Sequence, residues 1–214
     1  MLTVLLSFSA RAHDVWLENT PDHQMLIHFG EFGDELETSP GYLDSLTMPQ
    51  AWTAGTNGPA AFEIQKQTNS FALAQSADNK VTTAETAFEV LSATNKPSRL
   101  PLFYARWQPA GAGAGTPALT LDLVPQAKPG DIQVYFRDKV VAGETVNAHG
   151  PAGFEKDLKT DADGRVHFDL DKPGLYLFTC NHHRETVAGF AGGRHYDLVS
   201  HNASLTLRVP ASNQ

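Results

Sequence analysis

One cysteine, Cys180, is all the sequence offers, so no disulfide can form within the chain and a packed core has to hold the fold. No stretch approaches the roughly 18 consecutive apolar residues that a membrane helix needs. Positive charge is scarce: 16 Lys and Arg against 24 Asp and Glu give a formal net charge of −8, which argues against a nucleic-acid partner. Strong helical periodicity is absent. Nucleophile and nucleotide motifs are missing too, with no GxSxG, no Walker A and no GxGxxG after a strand. Carboxylate pairs such as Asp34-Glu35 are adjacent and read as solvated loop charge. These absences leave an enzyme reading without a motif.

What is present is alternation. Met25, Ile27 and Phe29 share one face of a short run, and Leu26 and His28 the other. Leu119, Leu121 and Leu123 alternate with polar residues, as do Ile132, Val134 and Phe136, then Val166, Phe168 and Leu170, then Leu205, Leu207 and Val209. Leu175 to Phe178 is apolar on both faces, as a central strand would be. Val15 to Leu17, Phe62 to Ile64, Phe71 to Ala74 and Leu100 to Trp107 read as further strands, and Ser39 to Ser45 as a short helix. Pro129-Gly130, Gly150-Pro151, Asp163-Gly164 and Pro173-Gly174 punctuate the second half. Short strands at such spacing predict an all-β fold, a β-sandwich of immunoglobulin-like type. The run Pro109 to Gly115, with three glycines alternating with alanine, predicts a linker over 109–116 between a β subdomain at 13–108 and a second at 117–210.

The N-terminus carries its own signal. Leu2 to Phe8 is apolar and runs into Ser9-Ala10-Arg11-Ala12, with alanines at −3 and −1 of a signal-peptidase site. Residues 1–12 are therefore expected to be the remnant of a signal peptide whose true start lies upstream, and the mature chain to be periplasmic or secreted. The alternatives are a first strand LTVLLSF, or a cut after Ala10 that would leave histidine third. Cleavage after Ala12 makes His13 the first residue. Its α-amine and imidazole Nδ1 can then close a six-membered chelate ring on a metal ion, because the amine's low intrinsic pKa lets a metal displace its proton near neutral pH. A further imidazole would complete the three-nitrogen histidine brace, a donor set that suits copper, nickel or zinc rather than calcium or magnesium.

Nine histidines are present, and His182, His183, His195 and His201 fall within 20 residues. His201 shares parity with Ala203, Leu205 and Leu207, so it should face inward and need either a hydrogen bond or a metal. His182 and His183 have opposite parity. Cys180 reads as a buried small hydrophobe. His167 should lie on a solvent face, and Asp161 to Gly164 should be a hairpin turn, since Lys172 stands where an EF-hand would place its glutamate.

His13-Asp-Val-Trp-Leu-Glu18, Ile27-His-Phe-Gly-Glu31, Asp161-Ala-Asp-Gly-Arg-Val166 through Lys172-Pro-Gly-Leu-Tyr176, and Tyr196-Asp followed by His201-Asn-Ala-Ser-Leu-Thr-Leu207 resemble, in that order, domain-of-unknown-function family 4198. The resemblance implies an exported bacterial protein, often encoded near nickel or cobalt uptake systems or outer-membrane receptors. It also implies a sandwich whose second half is similar to the regulatory domain of carboxypeptidases, with a leading histidine at His13 and a histidine before the last strand at His201. The short leader and the Gly-Ala insertion depart from the family pattern. The expectation is a periplasmic protein binding copper, or nickel or cobalt, for capture, delivery or uptake. Its ligands would come from His13, His201, His195, His182, His183 and Glu185, and its partner would be a membrane metal transporter or outer-membrane receptor. The competing expectation is a metal-free carbohydrate- or peptide-binding module using Trp16, Trp52, Tyr42 or Trp107 as stacking platforms. A brace-type copper oxidase comes last, because no substrate surface can be read.

Overall fold

The computed structural model describes residues 13–53, 60–74 and 80–211, so the leader expected at 1–12 lies outside the described residues. The fold is all-β. In chain order the strands are β1 (Asp14–Asn19), β2 (Met25–Gly30), β3 (Gln50–Thr53), β4 (Ala60–Ala61), β5 (Ile64–Lys66), β6 (Phe71–Leu73), β7 (Thr82–Ala87), β8 (Leu91–Ala93), β9 (Lys96–Gln108) and β10 (Leu121–Pro125). They continue as β11 (Asp131–Phe136), β12 (Lys139–Val140), β13 (Thr145–Gly150), β14 (Phe154–Lys159), β15 (Arg165–His167), β16 (Gly174–Glu185), β17 (Gly189–Ala191), β18 (Arg194–Tyr196) and β19 (Leu198–Val209). The short helix expected near Ser39 to Ser45 is a 3₁₀ turn at Tyr42–Ser45.

These strands build three layers. The central sheet runs β14-β13-β16-β19-β9-β7-β3-β4, with β8 also on β9. Its middle is the parallel pair β9 and β19, which join the two ends of the chain in register from Leu198↔Arg99 to Leu207↔Gln108. The segments expected on either side of the Gly-Ala run therefore share one sheet. A small sheet, β1-β2-β6-β5, covers one face, and Val15, Leu17, Met25, Ile27, Phe29, Phe71, Phe103, Ala105 and Trp107 form the core between them. A second small sheet, β10-β11-β12 with β15 on β11, covers the other face. There Leu121, Leu123, Val134, Phe168, Phe178 and Leu205 pack with His201's neighbours Tyr104 and Ala203. The strict alternation of β9 explains how one strand feeds both cores, since odd residues face the first small sheet and even residues the second.

Two polar devices fix the layers. β1 is an edge strand, and its outward carbonyls are met by side chains of β19: Ser204 Oγ donates to Val15 O at 2.7 Å, Thr206 Oγ1 to Leu17 O at 2.5 Å and Arg208 to Asn19 O at 3.4 Å. This satisfies backbone groups that burial would otherwise leave orphaned. On the opposite face Arg106 and Asp122 form a fully buried fork, with Nε to Oδ1 at 2.9 Å and Nη2 to Oδ2 at 2.6 Å. Arg106 also donates to Thr116 O, and Gln108 Nε2 to Gly113 O, so the Gly-Ala run is tied along β9.

Candidate functional site

The end of the central sheet where the histidines gather is shaped by one bulge. Cys180 pairs with Ala203 and His183 with His201, so Asn181 and His182 together oppose Asn202. The extra residue, His182, sits at φ 65°, a left-handed conformation that a non-glycine residue adopts at a cost of about 1 kcal/mol or more. Asn202 supports it: its Oδ1 accepts the His182 N–H at 3.1 Å, while its Nδ2 donates to the Leu102 and Ser200 carbonyls. Bulges re-aim side chains, and this one shifts the phase of β16. His183 and Glu185 now share the face of Cys180, while Asn181 and His182 turn toward the first small sheet.

On that face lies a cleft of about 330 Å³ lined by His13, Phe29, Tyr42, Phe88, Leu91, Arg99, Pro101, Phe103, His182 and Asn202. Its floor is aromatic: Phe29 meets Phe88 at 5.6 Å and Phe103 at 6.0 Å between ring centroids. The His13 ring lies 5.4 Å from Phe29, and Glu37 Oε1 holds its Nε2 at 2.5 Å, which leaves Nδ1 without a partner among the described residues. Asn181 Nδ2 donates to Asp14 Oδ1 at 2.8 Å, so the bulge that places His182 also anchors the residue following His13. Burial raises the Asp14 carboxyl to about 6. Across the cleft, Arg99 Nη1 stands 3.4 Å from His182 Nδ1. A guanidinium only donates, so Nδ1 accepts and the ring proton resides on Nε2. Burial, then Arg99 and Arg184, hold His182 below the usual histidine range and hence neutral at pH 7.

The other face is closed upon itself. His201 is buried, its Nδ1 3.0 Å from the Tyr104 hydroxyl and its Nε2 3.4 Å from Glu185 Oε2. Arg137 grips Glu185 with two bonds of 2.7 and 2.8 Å, which holds that carboxyl below the usual range. His183 Nδ1 meets Glu144 Oε1 at 2.7 Å, and Phe136 packs on both the His183 and His201 rings. Burial and Glu144 push the Cys180 thiol up to about 12, so it is a protonated core residue rather than a soft ligand.

His13 and His201, expected to converge, lie on opposite faces of the central sheet. Both do sit at strand starts, but β19 turns Ser204 and Thr206 toward β1, which directs the odd-numbered His201 away from it. His195 lies in the exposed β17–β18 hairpin, with Phe190 and Asp197 as its neighbours. Among the described residues, no three His, Cys, Asp or Glu side chains form a group that could hold a metal ion. Of the expected stacking platforms, Trp16 and Trp107 are buried, Trp52 is half-buried, and Tyr42 alone is exposed, at the cleft. No helix of the described residues is long and apolar enough to cross a membrane. Arg99, Glu37, Asn181, Asn202 and the three cleft phenylalanines were not singled out from sequence. The parity of Arg99, Pro101 and Phe103 was readable, but not what that face would meet. No protein-family model and no curated protein matches the chain.

Proposed function

We propose that the mature chain is an exported transition-metal-binding protein in which His13, as the first residue, chelates the ion through its α-amine and Nδ1. The observation that carries this reading is the 2.5 Å contact between Glu37 and His13 Nε2. A carboxylate on the far ring nitrogen fixes the tautomer and the orientation of the ring, as outer-shell carboxylates do for metal-bound histidines. The nitrogen left free is the one on the amine's side. Asp14 adds negative charge beside the same ring.

A chelate of two nitrogens leaves coordination positions open toward the cleft. That suits capture and hand-over of an ion rather than permanent burial, and the ion's receiver would be a membrane transporter or outer-membrane receptor. Copper binds such a nitrogen pair most tightly among divalent first-row ions, while nickel or cobalt would be loaded by availability. The test is a calorimetric copper(II) titration of protein whose N-terminus is His13, beside its His13→Ala variant. One tight equivalent in the parent, lost in the variant, is the expected result. Equal binding by both would end the reading.

A further inference from the structure

The protein carries net charge −8, yet the cleft holds a guanidinium group, Arg99, with no carboxylate on it among the described residues. Among the described residues, Arg99 has one polar contact, the neutral His182 ring, and its charge is further disfavoured by burial and by the neighbouring Arg184. Four other arginines of the chain are each answered by a carboxylate. Arg106 is forked by Asp122, Arg137 by Glu185, Arg194 reaches Glu89 and Arg208 reaches Glu18. A partly buried cation is stabilised by an anion, and here the described residues supply none. Beside Arg99 stand the Nε2–H of His182 as a second donor and the apolar floor of Phe29, Phe88 and Phe103. A mostly apolar cleft with a few convergent polar groups is the ordinary form of a small-molecule site.

We propose that this cleft binds a small organic carboxylate with an aromatic or branched apolar body, the carboxylate on Arg99 and the His182 ring, the body on Phe29, Phe88 and Phe103. An arginine fork recognises a carboxylate by two parallel charge-assisted bonds, and neither an alcohol nor an amine can replace it. The cleft also flanks His13, so the same anion could occupy a coordination position left open by the metal chelate. The anion site itself does not depend on the metal.

The experiment is a titration of the full chain in excess chelator, which separates this site from the metal reading. The probe is 3-phenylpropionate, with 3-phenylpropanol and 3-phenylpropylamine as uncharged and cationic counterparts. A short peptide ending in phenylalanine is added as free acid and as amide, to tell a free acid from a peptide C-terminus. The acid should bind about ten times more tightly than the alcohol, and the amine more weakly than either. Arg99→Gln should bring the acid down to the alcohol's level, with the unfolding midpoint read in parallel to confirm the fold. His182→Gly, which suits the left-handed bulge, should weaken the acid while sparing the alcohol. Arg194→Gln, on the exposed hairpin, should leave all three unchanged. Acid and alcohol binding alike, binding unaffected by Arg99→Gln, or no binding of any probe would each overturn the proposal.

Discussion

The two faces of the central sheet at its histidine-rich end differ in one respect. On the core face the imidazoles and the carboxylate between them pair with one another and with nearby side chains: His201 with Tyr104 and Glu185, Glu185 with Arg137, His183 with Glu144. On the cleft face, among the described residues, His13 Nδ1 has no partner and Arg99 has no carboxylate, only the His182 ring. Both faces are rich in histidine, so composition does not separate them. The pairing does, and it assigns stability to one face and binding to the other.

The largest effect expected from this comparison sets two arginines of β9 against each other. Arg106→Met strands the fully buried Asp122 and should cost about 3–5 kcal/mol. Arg99→Met relieves an unpaired cation and should cost less than about 1 kcal/mol. Urea denaturation of both variants decides the matter, and similar losses would mean that Arg99 is structural. Next come the histidines. His201→Ala leaves Tyr104 and Glu185 short of a partner and should cost about 1–3 kcal/mol, with copper binding unchanged. That differs from what its sequence position suggests, and weakened copper binding in a folded His201→Ala variant would return His201 to the site. Glu37→Gln should lower copper affinity about 10-fold by loosening the His13 ring, with stability nearly intact.

A smaller effect is expected with pH. Burial lowers the folded pKa of His201 and of His28 below 6.5. Both are neutral in folded and unfolded chains above that value, so their contribution is then complete. As pH falls below about 6.5 the unfolded chain takes up protons that the folded one resists, and stability declines. His201→Gln should flatten that decline, and an unaltered acid limb in the unfolding midpoint would show that His201 does not contribute to it. Smallest of all, His167→Ala should change copper binding not at all. Its contact with Asp131 is half-exposed, which places it among ion pairs worth about 0–1 kcal/mol.

The strands with clean alternation were legible in the sequence. Met25 to Phe29, Leu121 to Leu123, Ile132 to Phe136 and the long last strand all appear, and Leu121, Val134, Phe168 and Leu177 are buried as expected, with Leu207 only half-buried. β7 (TTAETA) and β14 (FEKDLK) were missed because alanine, glutamate and lysine carry little strand preference and their positions are set by neighbours. Alternation gives faces but not partners, so the parallel pairing of β9 with β19, about a hundred residues apart, had no local signature. His201 was correctly read as inward, yet which core it enters depends on that pairing. The bulge at His182 was equally hidden, since no glycine or proline marks it and its support is the distant Asn202.

The central claim, that binding belongs to the cleft face and begins with a free His13 amine, is tested most directly by copper(II) calorimetry on two forms of the protein. One begins at His13, and the other retains residues 1–12. The account predicts one tight equivalent in the first. In the second it predicts a loss exceeding the roughly 10–100-fold that removal of an outer-shell partner costs, because the amine leaves the chelate ring while the His13 ring remains. Equal affinity in the two forms would contradict it.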